Sequence, residues 1–326
     1  MSGSITVIRP GLHTTVQDLG RWGLQARGVP VAGPMDIWSH RLANALVGNA
    51  RTAATLEITL IGPELLFDDD RLVAVAGAEF DLSVDDTAGK IGVAQPVRAG
   101  SRLRISRRSR GARAYLAVAG GIDVPAVFGS RATHVSSRMG GHEGRALRPG
   151  DCLKLGSASR PDVSARGRDA AAATSPATGV VTECVEPGGT ARVRMLPGPQ
   201  SDRFDGAALQ LLQSAAYRLT PDSNRMGFRL EGPALGHRDD REMLSDPTAF
   251  GVVQVPRSGQ PILLMADRQT TGGYPKIATI ITADAGVAGQ LAPGDSIRFV
   301  VCDERTALAE LARKERAVQQ VEALAS

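Results

Sequence analysis

Several things are scarce in this 326-residue chain, and each scarcity excludes a class of protein. No apolar run approaches the ~20 residues that span a bilayer; Pro261-Ile-Leu-Leu-Met-Ala266 is representative. No charge sign dominates: 38 lysines and arginines against 34 aspartates and glutamates leave a net +4. That is too little to imply nucleic acid as a partner. The amino terminus, Met1-Ser-Gly-Ser-Ile-Thr, has neither the basic nor the apolar region of a signal peptide, so a soluble cytoplasmic protein is expected. Cysteine is sparse. Cys152, Cys184 and Cys302 form no Cys-x-x-Cys pair, which fits a reducing compartment and small packed side chains. The common catalytic signatures are absent too: no Gly-x-x-x-x-Gly-Lys-Ser/Thr loop, no Gly-x-Gly-x-x-Gly and no Gly-x-Ser-x-Gly elbow. Five scattered histidines, with His142-Glu143 lacking a second histidine at zinc-site spacing, predict no metal.

What is present reads as β structure. Hydrophobic residues make up 42% of the chain, enough for a sizeable core, and at roughly 150 residues per domain the length suggests two domains. Leu72–Val84, Ala114–Ala119, Ile262–Met265 and Ile277–Thr282 are apolar, partly alternating runs bounded by turn residues. Thirty-seven glycines and 19 prolines punctuate the chain as barrels and sandwiches require. Three helices are expected. One runs from Asp36 to Val47 with Trp38, Leu42, Ala45 and Leu46 on one face, a second follows Ser201 with Phe204, Ala208, Leu211 and Leu212, and the third is the tail.

The segment 157–180 is rich in alanine, serine, glycine, arginine and proline. It cannot bury enough surface to fold and predicts an exposed linker. The expected organisation is a first domain over 1–156, this linker, a second domain over 181–303 and a C-terminal helix over 304–326. The halves echo each other. Leu147-Arg-Pro-Gly-Asp-Cys-Leu-Lys-Leu155 and Leu291-Ala-Pro-Gly-Asp-Ser-Ile-Arg-Phe299 share Leu-x-Pro-Gly-Asp before an alternating strand, and Ile61-Gly-Pro63 is echoed by Glu231-Gly-Pro233. Both echoes point to duplication.

The densest polar cluster is Asp267-Arg-Gln-Thr-Thr-Gly-Gly-Tyr-Pro-Lys276, between two apolar runs. A plain hairpin needs only two to five turn residues. Gly272 and Gly273 would let the backbone approach a ligand, Arg268 and Lys276 suit a carboxylate or phosphate, and Asp267 suits a base or a partner for Arg268. The alternative is a hydrogen-bonded turn. A second cluster holds Gln17, Asp18 and Arg21, leading towards Asp36 and His40; Asp36 suits a helix N-cap, and His40 either packs or binds. A third, Asn224-Arg-Met-Gly227, puts Arg225 before a strand. The stretch Arg102-Leu-Arg-Ile-Ser-Arg-Arg-Ser-Arg-Gly-Ala-Arg113 lacks interleaved aromatics and reads as a strand with one wet face.

Taken together, Thr14–Arg21, Gly28–Asp36, Ser39–Asn44, Leu56–Thr59, Gly129–Arg131, Gly144–Leu147, Leu196–Gln200, Asn224–Gly227 and Asp267–Lys276 resemble the C-subunit family of the 5-oxoprolinases. That family is also labelled allophanate hydrolase subunit 2 or KipA, and is related to the carboxyltransferase region of urea carboxylase. The resemblance implies a mostly β protein of two cyclophilin-like β-barrel domains with a few short helices. It also implies two partner proteins, the B subunit of 5-oxoprolinase (KipI-like) and its A subunit. The complex they form opens 5-oxoproline to glutamate at the cost of ATP with Mg²⁺.

On this footing Asp267, Arg268 and Lys276 are expected to be catalytic. Gln17, Asp18, Arg21, His40, Asn224, Arg225, Gln269, Thr270, Thr271, Gly272, Gly273 and Tyr274 are expected to bind substrate. Two other readings are a carboxyltransferase subunit of urea or allophanate metabolism using biotin on a separate carrier, since no Met-Lys-Met site is present, and a non-catalytic KipA-like protein that binds a KipI-like kinase inhibitor. His142 departs from the family pattern, which more often has an apolar or aromatic residue there.

Overall fold

The computed structural model describes residues 3–158, 185, 187–239, 241 and 243–325. Residues 159–180 of the expected linker, and Cys184, lie outside the described residues. The chain divides into two compact units, Met1–Arg21 with Ala32–Cys184 and Lys314–Ser326, and Trp22–Val31 with Val185–Arg313. Trp22–Val31 thus groups with the later part of the chain and Lys314–Ser326 with the earlier part.

The first unit has nine strands: β1 (Ser4–Arg9), β2 (His13–Gln17), β3 (Thr55–Thr59), β4 (Glu64–Phe67), β5 (Arg71–Val84), β6 (Thr87–Ala88), β7 (Ala94–Val97), β8 (Arg102–Val118) and β9 (Cys152–Lys154). They form one sheet along the path β2-β3-β8-β4-β1-β9, with β5 joined through β8 and carrying β6 and β7. The two long strands change character along their length. In β8, Arg102 and Arg104 are exposed while Leu103 and Ile105 are buried, and every residue from Gly111 to Val118 is buried. The wet-face reading of the arginine run holds for its first half. Helix α1 (Ile37–Leu46) packs on β5 and β8 and covers the face that alternation leaves dry. Ile5, Val16, Leu56, Phe67, Val75 and Leu116 sit in the unit's hydrophobic core, each contributing about 1.5–3 kcal/mol by leaving water.

Helix α1 starts where the sequence signals it. Asp36 Oδ1 accepts from the amides of Trp38 and Ser39, both at 3.1 Å, satisfying two donors that the first turn leaves open. The helix is buried all round, with His40, Arg41 and Asn44 inside as well as Trp38 and Leu42.

The second unit contains β10 (Thr190–Pro197), β11 (Tyr217–Leu219), β12 (Gly227–Glu231), β13 (Asp246–Pro247), β14 (Val252–Gln254), β15 (Ile262–Leu264), β16 (Thr271–Gly272), β17 (Lys276–Ile280) and β18 (Ser296–Val301). Seven of them close a barrel in the order β10-β17-β14-β15-β12-β11-β18, and β13 pairs with β16 as a separate ribbon. Strand β18 runs parallel to β10 and so closes the ring. Val193, Leu219, Phe228, Val253, Ile277 and Phe299 are buried.

Helices α2 (Ala208–Ser214), α3 (Ala285–Gly289) and α4 (Glu304–Ala325) complete the description. The expected second helix begins later than the spacing suggested. Phe204 lies outside it, buried and bridged to His237, because Ser201–Arg203 is a single 3-10 turn and Gly206 interrupts the run. No helix among the described residues is long and apolar enough to cross a membrane.

The Pro-Gly-Asp echo is structural. Gly150 and Gly294 both have positive φ, 86° and 95°, which glycine adopts without cost. Asp151 Oδ2 accepts from the Arg148 amide at 2.7 Å and Asp295 Oδ2 from the Ala292 amide at 2.9 Å. Each turn is then stitched to a strand by its glycine amide, Gly150 donating to the Val7 carbonyl and Gly294 to that of Leu219. The Gly-Pro echo does not correspond in this way: Gly62-Pro63 precedes β4, whereas Gly232-Pro233 follows β12. Cys152 is exposed rather than packed, since β9 alternates and turns it outward.

Candidate active site

The amino-terminal cluster is interior. Gln17, Asp18, Arg21 and His40 are all buried, and their hydrogen bonds hold the loop at 127–134 and helix α1. Gln17 Nε2 donates to Thr15 Oγ1 and the Thr133 carbonyl, at 3.0 and 3.1 Å. Asp18 accepts from the Gly20 amide, the Ser130 hydroxyl and the Arg131 amide, and Arg21 donates to the Ala132 carbonyl. His40 Nδ1 lies 2.9 Å from Thr55 Oγ1, and burial pushes its pKa down to about 4, so the ring is neutral at physiological pH. All four side chains are buried and make protein hydrogen bonds, while Gln17 Oε1 has no hydrogen-bond partner among the described residues.

A neighbouring network ties two more motif segments together through Tyr115. Tyr115 Oη donates to Glu57 Oε2 at 2.8 Å and accepts from the Asp36 amide, and the Met35 amide donates to the same carboxylate. His142 lies 3.4 Å from Asp151, beside the Arg145–Asp151 ion pair, so its departure from the family pattern falls on packing.

The segment 267–276 gathers the second unit's motifs. Asp267 and Arg225 form a two-point ion pair, Nε–Oδ2 at 3.0 Å and Nη2–Oδ1 at 2.9 Å, both buried. Both oxygens of the Asp267 carboxylate are thus held by the Arg225 guanidinium, the arginine-partner arrangement in place of a pairing with Arg268. Lys276 is buried, donates through Nζ to Asp246, and receives the Gln200 side chain at its amide (3.2 Å). The hydroxyl of Thr248 donates to the Gln269 carbonyl, Gln269 Nε2 reaches Gln254 Oε1 at 3.4 Å, and Thr271–Gly272 form β16 against Asp246–Pro247. The connection is thus a ribbon laid on the barrel, not a hairpin turn. Asn224 is exposed, its side chain accepting from the Met226 amide.

Arg268 is the exception to this saturation. It is buried, its side chain donates to the Met265 carbonyl at 3.4 Å, and its Nε has no partner among the described residues. Burial lowers its pKa to about 10, which still leaves it cationic. A buried cation held by so little is costly and favours an anion.

The open space lies next to this ribbon. A cavity of about 860 Å³ is lined by Gly273, Tyr274 and Pro275 together with Arg203, His237 and Arg257. Asp239 and Arg241 also face it, paired to each other and to Arg203. The lining between Ala234 and Gly259 was not singled out in the sequence. The available signal was His237, the only histidine after His142, set in Gly-His-Arg-Asp-Asp-Arg. No group of three or more histidine, cysteine, aspartate or glutamate side chains among the described residues is arranged to hold a metal.

A family model described as carboxyltransferase domain, subdomains A and B, matches residues 27–301. The chain belongs to this family. It is 42% identical to the C subunit of Escherichia coli 5-oxoprolinase over 317 residues, 97% of each chain. It is 37% identical to that of Haemophilus influenzae over 304 residues, 93% of this chain and 92% of the relative. Among solved structures, K. lactis urea amidolyase superposes with a TM-score of 0.88 at 29% identity, covering 98% of this chain but 20% of that one. The carboxyltransferase fold thus appears both as a chain of this length and as one region of a far longer protein.

Proposed function

We propose that this chain is the C subunit of an ATP-dependent 5-oxoprolinase, opening 5-oxoproline to glutamate together with the A and B subunits. The observation that carries this reading is the cavity beside the 267–276 ribbon: this segment, one of those on which the family resemblance rests, brings Gly273–Pro275 to a space with three arginines in its described lining. Arginine suits carboxylates and phosphates, and 5-oxoproline carries a carboxylate. An unstrained lactam is a poor electrophile, so ATP supplies activation by phosphorylating the carbonyl oxygen, and cationic groups then stabilise the charge that develops there. Arg203, Arg241 and Arg257 supply cations in the cavity lining, Arg268 adds a buried cation on the adjoining ribbon, Lys276 and Asp246 fix the ribbon, and the Arg225–Asp267 pair holds the residue before Arg268 in place. Mg²⁺ would accompany ATP at the level of the complex.

The second reading is a biotin-dependent carboxyltransferase working on urea or allophanate, favoured by the fold shared with K. lactis urea amidolyase. The near full-length likeness to stand-alone 5-oxoprolinase subunits supports the first. The test is turnover by this chain co-expressed with the A and B subunits, with ATP and Mg²⁺, on 5-oxoproline and separately on urea with a biotinylated carrier. A complex that assembles without turning over either would leave only the sequestering, KipA-like role.

A further inference from the structure

His237 lines the same cavity as Gly273–Pro275 and is held as a proton-transfer group is held. Its Nε2 lies 3.1 Å from the Pro256 carbonyl. A carbonyl oxygen only accepts, so Nε2 carries the hydrogen and, in the neutral ring, Nδ1 keeps the lone pair. The imidazole rests against Phe204, with centroids 4.8 Å apart and planes 35° from parallel, and Phe204 is itself buried. The backbone before the histidine is equally confined: a Cβ on Gly236 would stand 1.9 Å from Asp205 Oδ2. Carbonyl, aromatic ring and tight backbone together fix the tautomer and orientation of a half-buried imidazole in a cavity whose described lining also holds three arginines. Asp239, the acid among the described lining residues, is engaged by Arg203 and Arg241 and is unsuited to taking a proton.

We infer that His237 transfers the proton in the reaction carried out in this cavity. The inference rests on the oxoprolinase reading. On 5-oxoproline phosphorylated at its carbonyl oxygen, Nδ1 accepts one proton of the attacking water as its oxygen bonds to the former carbonyl carbon and the C=N π-pair moves to the ring nitrogen. The same proton passes from Nδ1 to the ring nitrogen as the C–N bond breaks, and the proton left on the new hydroxyl follows to the freed amine, leaving an open-chain acyl phosphate. A second water displaces phosphate from that acyl carbon to give glutamate; the histidine returns to its starting form, and two waters are consumed for each ATP cleaved to ADP and phosphate.

The test uses the whole complex of this chain with the A and B subunits, comparing wild type, His237→Gln and His237→Ala with and without imidazole. Glutamine keeps an N–H for the Pro256 carbonyl but takes no proton, so a merely structural histidine would be replaced without loss. His237→Gln is expected to assemble and melt as wild type while kcat falls about 10²–10⁴-fold and KM changes little. Imidazole in solution is expected to restore part of the His237→Ala activity, which decides the matter should His237→Gln fold poorly. A His237→Gln complex within about threefold of wild-type kcat, or a His237→Ala complex that imidazole does not help, overturns the role of the histidine alone. A wild-type complex that releases no glutamate overturns the oxoprolinase reading, and this step with it.

Discussion

Replacing Asp267 by alanine separates the two roles open to that residue. Its carboxylate meets Arg225 at 2.9 and 3.0 Å with both side chains about nine-tenths buried. Removing one partner of such a pair strands the other as a buried charge, at a cost of roughly 3–5 kcal/mol. At roughly 2–4 °C per kcal/mol, that is a loss of about 10 °C in the unfolding transition of the unit built on residues 185–313. Calorimetry on the isolated chain reads it directly. The double variant Arg225→Leu with Asp267→Leu removes both charges and is expected to recover at least about 2 kcal/mol of the loss, since apolar replacement of a whole buried pair is often near neutral. An Asp267→Ala chain that unfolds within about 1 kcal/mol of wild type, yet leaves the complex inactive, would refute the ion-pair assignment and leave Asp267 as a base.

Three further outcomes are expected. Arg268→Met removes a buried cation whose Nε is unpartnered among the described residues, so the chain should melt no lower than wild type while KM for 5-oxoproline in the complex rises more than about tenfold; a lower melting temperature with unchanged KM would make Arg268 structural. Tyr115→Phe strips the hydroxyl shared by Glu57 and the Asp36 amide and should destabilise the chain by about 1–3 kcal/mol in urea unfolding. Acid should weaken the fold through His40: its folded pKa of about 4 lies below its ordinary 6.5, so the unfolded chain takes the proton first. Stability should fall by about 1.4 kcal/mol per pH unit from pH 6.5 towards 4, and His40→Gln should flatten that slope.

The fold was legible where local chemistry decides it. Asp36 caps helix α1, Leu103 and Ile105 alternate with wet arginines, and the two Leu-x-Pro-Gly-Asp segments build the same turn. Legibility failed where tertiary context intervenes. Gln17, Asp18, Arg21 and His40 look like ligand groups because they are polar and set among glycines, and their protein partners, Thr133, Ser130, Ala132 and Thr55, lie up to 116 residues away. Nothing local marks such residues as buried. Asp267 and Arg225 fall 42 residues apart, in separate motifs, and only the closed barrel joins them. His237 was passed over for the opposite reason: it sits alone in a charged loop, and its place beside Gly273–Pro275 is created by the fold.

The central claim is that this chain is an obligatory part of a 5-oxoprolinase. Glutamate release from 5-oxoproline, measured with ATP and Mg²⁺ for this chain co-expressed with the A and B subunits, and again with each protein omitted in turn, tests it most directly. The account predicts turnover by the full set and its disappearance when this chain is left out. Equal turnover without this chain, or a stable full complex that releases no glutamate, would contradict it.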